Sequence, residues 1–196
     1  MRPRLIKLLS ILIAFASLEV LANTEIALDA LPVNGQVLSG EASIVSSGSV
    51  LNVNQSSQRA ILSWDTFNVG QDATVNFNQP SASASTLNRI GSHSPSQIFG
   101  KINSVGEVIL QNAAGVYISK SGKLDVGSIT ATSHSISNDD YLNGRYHFDR
   151  DGSKGSVVNE GSIQTNLKGY VALLAPEVRN SGLIIAQMGS VVMAAG

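Results

Sequence analysis

From Val157 to Gly196 the chain alternates short runs of Val, Ile, Leu and Ala with Gly and Asn, and the alternation repeats. Asn159-Glu-Gly161-Ser-Ile163 returns as Asn180-Ser-Gly182-Leu-Ile184, a step of 21 residues, and Gly169-Tyr-Val-Ala-Leu returns as Gly189-Ser-Val-Val-Met, a step of 20. A period of about 20 residues is that of a solenoid, whose single turn is too small to bury its own apolar face and must stack on its neighbours. Short β-branched runs punctuated by Gly and Asn make those turns strands. The same pattern predicts strands at Val50–Val53, Ala60–Trp64, Thr74–Phe77, Val108–Leu110, Val116–Ser119, Lys123–Val126, Ser156–Val158, Tyr170–Leu174, Leu183–Ala186 and Ser190–Ala194. No segment sustains a 3.6-residue period between caps, so no helix is predicted. The rhythm breaks twice, in a Pro-Ser-Ala loop from Gln79 to Ser85 and in a polar, charged segment from Ser135 to Lys154 that reads as an excursion from the coil.

The first 22 residues follow another rule. Arg2, Arg4 and Lys7 precede an apolar run from Leu8 to Leu18, and small Ala22 follows. This is the pattern of a secretory signal peptide read by the general secretion machinery, and it places cleavage between Ala22 and Asn23 with Val20 in the minus-three position. The run is shorter than the roughly 20 apolar residues a membrane span needs. Residues 23–196 then form one domain.

Composition sharpens the solenoid reading. With 43% hydrophobic residues but only 5% aromatic and 14% charged, the core is built from small aliphatic side chains and the surface from Ser, Thr and Asn. Stacked parallel strands accept both. Absence of Cys excludes a disulfide framework and thiolate metal sites, and leaves an exported chain free to be threaded. A formal net charge of −1 without clustered Lys or Arg argues against nucleic acid or an anionic membrane as partner.

Few residues invite a chemical role. Asp139-Asp140 is the one adjacent carboxylate pair in the irregular segment, but no matched base accompanies it, and a solvated loop is the simpler reading. Asp149-Arg-Asp151-Gly-Ser153 puts its Gly three places after the first Asp and has no closing Glu, so an ordinary turn is preferred to a calcium loop. His93, His134 and His147 have no metal-ligand spacing. Nucleophile-elbow, phosphate-loop and dinucleotide motifs are absent, so no catalytic residue, metal or cofactor is expected. Trp64, near Leu62 and Phe67, reads as a core residue of the amino-terminal region, with an exposed aromatic patch as the alternative.

Leu87-Asn-Arg-Ile-Gly, Pro95-Ser-Gln-Ile-Phe-Gly100 and Gly106-Glu-Val-Ile-Leu-Gln-Asn112-Ala-Ala-Gly115-Val resemble the amino-terminal secretion domain of filamentous haemagglutinin-like exoproteins, the passengers of two-partner secretion. The likeness continues in order through Ile129-Thr-Ala-Thr-Ser, Ile136-Ser-Asn-Asp-Asp-Tyr, Gly144-Arg-Tyr-His-Phe148, Gly169-Tyr-Val-Ala-Leu-Leu-Ala175 and the closing Gly189-Ser-Val-Val-Met-Ala-Ala-Gly196. The resemblance implies an all-β right-handed parallel β-helix with an amino-terminal cap and extra-helical strands. It also implies recognition in the periplasm by a cognate outer-membrane transporter, delivery to the medium or surface of a Gram-negative cell, and a host or cell-surface receptor engaged farther along the exoprotein. The family turn Asn-Pro-Asn-Gly-Ile stands here as Asn112-Ala113-Ala114-Gly115-Val116, so only Asn112 and Gly115 are carried over as turn-formers on which secretion depends. Loss of the proline costs well under ~1 kcal/mol through the unfolded chain. A stand-alone surface adhesin is the rival reading and a polysaccharide-cleaving enzyme the weakest. Because Gly189 to Gly196 continues the coil without Pro, charge or an atypical capping repeat, the carboxy end is expected to lead into further coils and, uncovered, to self-associate.

Overall fold

The computed structural model describes residues 26–196. Its strands are Gln36–Ser39 (β1), Ala42–Ser47 (β2), Val50–Gln55 (β3), Arg59–Trp64 (β4), Thr74–Asn78 (β5), Ser85–Ile90 (β6), Ser96–Ile98 (β7), Lys101–Ser104 (β8) and Glu107–Asn112 (β9). They continue with Gly115–Ile118 (β10), Lys123–Val126 (β11), Ser128–Thr132 (β12), Ser156–Asn159 (β13), Ser162–Thr165 (β14), Tyr170–Ala175 (β15), Glu177–Asn180 (β16), Leu183–Ala186 (β17) and Ser190–Ala195 (β18). Each predicted strand lies within or overlaps one of these. Of those missed, β7, β14 and β16 are three or four residues long and mostly polar, with little periodicity to detect, while β2, β6 and β12 are five or six residues long and rich in Ser, Thr and Asn.

The strands stack into three sheets, ordered β1-β4-β6-β9-β12-β15-β18, β16-β13-β10-β7 and β17-β14-β11-β8-β5-β3-β2. From β3 and β4 onward all pairs are parallel, the arrangement of a right-handed parallel β-helix. The sequence repeat is the stacking register itself: Asn159 pairs with Asn180, Ile163 with Ile184, and Tyr170 with Ser190. Gly169 and Gly189 mark where adjacent turns come closest, since a Cβ on Gly189 would collide with the Gly169 carbonyl oxygen.

Inward side chains form files along the axis. Leu62, Asn88, Leu110, Ala131, Leu173 and Met193 are successive register partners in one file. Burial of each large aliphatic member contributes roughly 1.5–3 kcal/mol. Asn88 is the polar exception, and it is satisfied: it accepts from Trp64 Nε1 at 3.0 Å and donates to the Ile109 carbonyl at 3.2 Å. Outside, carboxamides continue the stacking. Asn103 donates to Asn76 at 2.9 Å and Asn76 to Asn52 at 3.0 Å, an uncharged ladder on the solvent face.

At the amino end the parallel pattern stops. β1 runs antiparallel to β4 and β2 antiparallel to β3, while Leu31, Ala42 and Ile44 pack against the core, closing the first turn. Trp64 lies beneath this closure, 3% exposed and edge-on to Phe67 with ring centroids 5.5 Å apart, and is a core residue.

The segment from Ser135 to Lys154 leaves the coil between β12 and β13 and folds back over the outer face of β4, β6 and β9. Its ends are tied by an antiparallel bridge between Ser135 and Asp149. Contrary to expectation it holds a helix, Asn138–Leu142 (α1), with Ser137 as N-cap accepting from Asp140 N–H at 3.0 Å. A five-residue helix is too short to show a period, and Ser137 three places before Asp140 is its one local signal. Tyr141 of α1 is fully buried with Ile61, Leu87, Ile109 and Ile136 in a second apolar cluster outside the coil.

At the opposite end β16, β17 and β18 are the outermost strands of their sheets. Met193 ends an inward file yet is 54% exposed, and Ile184, the inward member of β17, is only partly buried. Such unpaired edges over an open apolar cross-section template pairing with another chain. We expect the domain to self-associate at micromolar concentration and Met193→Lys to suppress this, because stacking would bury the charge. Sedimentation decides: a wild-type protein that stays monomeric contradicts the expectation.

Candidate functional site

The turn between β9 and β10 is built from inside. Asn112, the last residue of β9, is fully buried. Its Oδ1 accepts from Ala114 N–H at 2.9 Å, closing the turn, and its Nδ2 donates to the Ser94 carbonyl at 3.1 Å and to Ser96 Oγ at 3.0 Å on the preceding turn of the coil. Gly115 has φ +112°, and a Cβ there would collide with the Ser156 carbonyl oxygen of the following turn. The Ala113 carbonyl accepts from Gly155 N–H at 3.2 Å and Ser153 Oγ at 3.0 Å. Three consecutive levels of the solenoid therefore meet at this turn. Its side-chain tip is exposed Ala113, beside a shallow depression of about 350 Å³ lined also by His93, Asp151 and Lys154.

A second constellation lies on the outer face. Glu107 opens β9 and is 8% exposed. Its carboxylate accepts from Tyr146 Oη at 2.6 Å, Ser85 Oγ at 2.8 Å and Tyr170 Oη. Burial and the neighbouring carboxylate hold the Tyr146 and Tyr170 phenols above their ordinary pKa, so both remain protonated donors. Arg59 donates to Tyr146 Oη at 3.2 Å and lies 5.3 Å from the Tyr141 ring centroid. Arg89 grips the other end of the excursion through Asn138 Oδ1 at 2.7 Å and the Ile136 carbonyl, with burial lowering its pKa.

A sequence profile described as the TPS secretion domain matches residues 26–196, the whole described chain. The chain belongs to this family. The heme/hemopexin-binding protein of Haemophilus influenzae strain Rd is 32% identical over 174 residues, covering 85% of this chain and 19% of that protein. A second Haemophilus influenzae protein of the same name is 32% identical over 111 residues, 57% of this chain and 12% of its own length. The crystal structure of the HMW1 secretion domain from Haemophilus influenzae superposes with a TM-score of 0.81 at 30% identity, covering 84% of this chain and 45% of that one. This TPS secretion domain thus spans about a fifth or less of the curated relatives it matches, and the heme or hemopexin in their names belongs to those whole proteins.

In this TPS domain the remaining sequence candidates are scattered. Asp139 and Asp140 sit in the first turn of α1, and Arg145 pairs with both, at 2.7 Å to Asp140 Oδ1. Arg145 and the Ser137 hydroxyl hold the Asp140 carboxyl below its ordinary pKa, a structural role rather than acid–base poise. Asp151 and Gly152 both have positive φ, and Ser153 N–H bonds the Arg150 carbonyl at 2.9 Å, which is a tight turn. His147 meets Asp149 at 3.3 Å on the surface, and burial, with Arg150, lowers the His134 pKa. No group of three or more potential metal ligands occurs among the described residues. Ala22 and Asn23, the expected cleavage site, lie outside the described residues.

Sequence reasoning missed the Glu107 cluster. Its signal was a lone carboxylate opening an apolar run, in register with Ser85 on one side and Ser128 and Tyr170 beyond, a file visible only once the turns are aligned.

Proposed function

We propose that the domain is an export signal, recognised in the periplasm of a Gram-negative bacterium by a cognate outer-membrane transporter, and that outside the cell it nucleates folding of a longer β-helix. The observation that supports this best is the closed amino end of a solenoid within a family of secretion domains. There β1 and β2 turn antiparallel over Trp64 and cap the first turn, while the later pairs are parallel. Solenoids grow by adding turns to a formed end, so a capped first segment templates the rest and opposes backsliding. In this reading the domain is non-enzymatic and the whole exoprotein is of the adhesin, haemagglutinin, cytolysin or contact-toxin type, at the cell surface or released. Residues 1–22 act as the signal peptide.

Within this reading Asn112 and Gly115 shape the turn, and exposed Ala113 is the surface it offers to the transporter. Ala113→Lys should therefore lower export about tenfold when co-expressed with the transporter, without moving the urea midpoint of the purified domain. Wild-type export of that variant, measured in the medium, would remove the turn from recognition.

A further inference from the structure

Beside the excursion, the outer face of β9, β12, β15 and β18 holds an open groove of about 570 Å³. Phe148, Ala172, Leu174 and Val192 provide apolar walls, and Tyr146 and Tyr170 bring their hydroxyls to Glu107. Glu107 is the only charged residue lining it. No basic side chain lies within ion-pair distance of Glu107 among the described residues. Arg59 stands behind Tyr146, where its 3.2 Å bond to Tyr146 Oη leaves the phenol proton to Glu107. The carboxylate is thus oriented by hydroxyl donors at the bottom of a largely apolar cleft, with Arg59 close enough to feel its charge across Tyr146 but not directly paired with it. We propose that this groove binds the side chain of a lysine on a partner polypeptide. Four methylenes match the aliphatic walls, and the ammonium reaches a desolvated carboxylate. An acidic side chain would be repelled, and a norleucine would leave Glu107 buried without a direct ion pair.

Two pentapeptides test this, acetyl-Ala-Val-Lys-Val-Ala-amide and its norleucine counterpart, titrated into the isotope-labelled protein. The lysine peptide should shift the Glu107, Thr130 and Tyr170 amides saturably and bind at least tenfold more tightly than the norleucine peptide. Glu107→Gln should erase that preference. If Glu107→Gln fails to fold, Ala82→Lys on the exposed rim supplies a tethered ammonium and should block the lysine peptide. Equal affinity for both peptides, no saturable shift, or undiminished binding to Glu107→Gln or Ala82→Lys would overturn the proposal, whatever the transporter recognises.

Discussion

Gly115→Val should destabilise the domain by roughly 3 kcal/mol or more, a large part of the 5–15 kcal/mol that holds a typical domain together. Two costs combine. At φ +112° a β-branched residue is strained by about 1–3 kcal/mol, and its Cβ would collide with the Ser156 carbonyl oxygen. That oxygen is on backbone paired in register with Gly115 itself, so it cannot withdraw without loosening β10 from β13. Gly115→Ala shares the strain and the collision but is smaller, and should fall between. Urea unfolding followed by circular dichroism reads the effect, and an unchanged midpoint for Gly115→Val would show that the turn tolerates a different geometry. This variant measures the fold, which is why Ala113 is the better probe of export.

Tyr141→Ala should cost a similar amount, roughly 3–5 kcal/mol, as truncation of a fully buried aromatic does. Tyr141 plugs the excursion onto Ile61, Leu87 and Ile109, and its hydroxyl is placed at 3.2 Å from the Ala60 carbonyl and 3.1 Å from Ser85 Oγ. Burial raises its pKa, so the phenol stays neutral and keeps its proton to donate. Tyr141→Phe removes only the hydroxyl and should cost about 1–3 kcal/mol, the price of leaving a buried acceptor unpaired. Limited proteolysis distinguishes local from global loss. Cleavage between residues 142 and 150 should appear in Tyr141→Ala before the coil unfolds, and resistance equal to wild type would show that the plug is not what holds the excursion down.

The stacking register was legible because two glycine–asparagine landmarks recur at nearly one spacing and the glycines sit where turns approach most closely. Strand β6 was not legible, since Thr86 and Asn88 point into the core and read as loop residues. They are held there by Gln55, Gln79 and Trp64, partners 7 to 31 residues away. Burial of the excursion had a signal that was overlooked. Ala60-Ile61-Leu62 and Val108-Ile109-Leu110 are unbroken apolar runs, as expected of strands covered on both faces, and Ile61 and Ile109 are the outward members that α1 covers. The turn at Asn112 was found through resemblance, and its geometry depends on Ser94, Ser96 and Ser156, which neighbour it only after the coil has closed. Glu107 and its tyrosines, 39 and 63 residues apart, offered no local pattern at all.

Export itself is the most direct measurement. Residues 1–196 fused ahead of a reporter should place the reporter in the medium when the cognate outer-membrane transporter is co-expressed, and leave it in the periplasm when the transporter is absent. Equal release with and without the transporter, or retention in both cases while the domain is folded and processed, would contradict the assignment of this β-helix as an export signal.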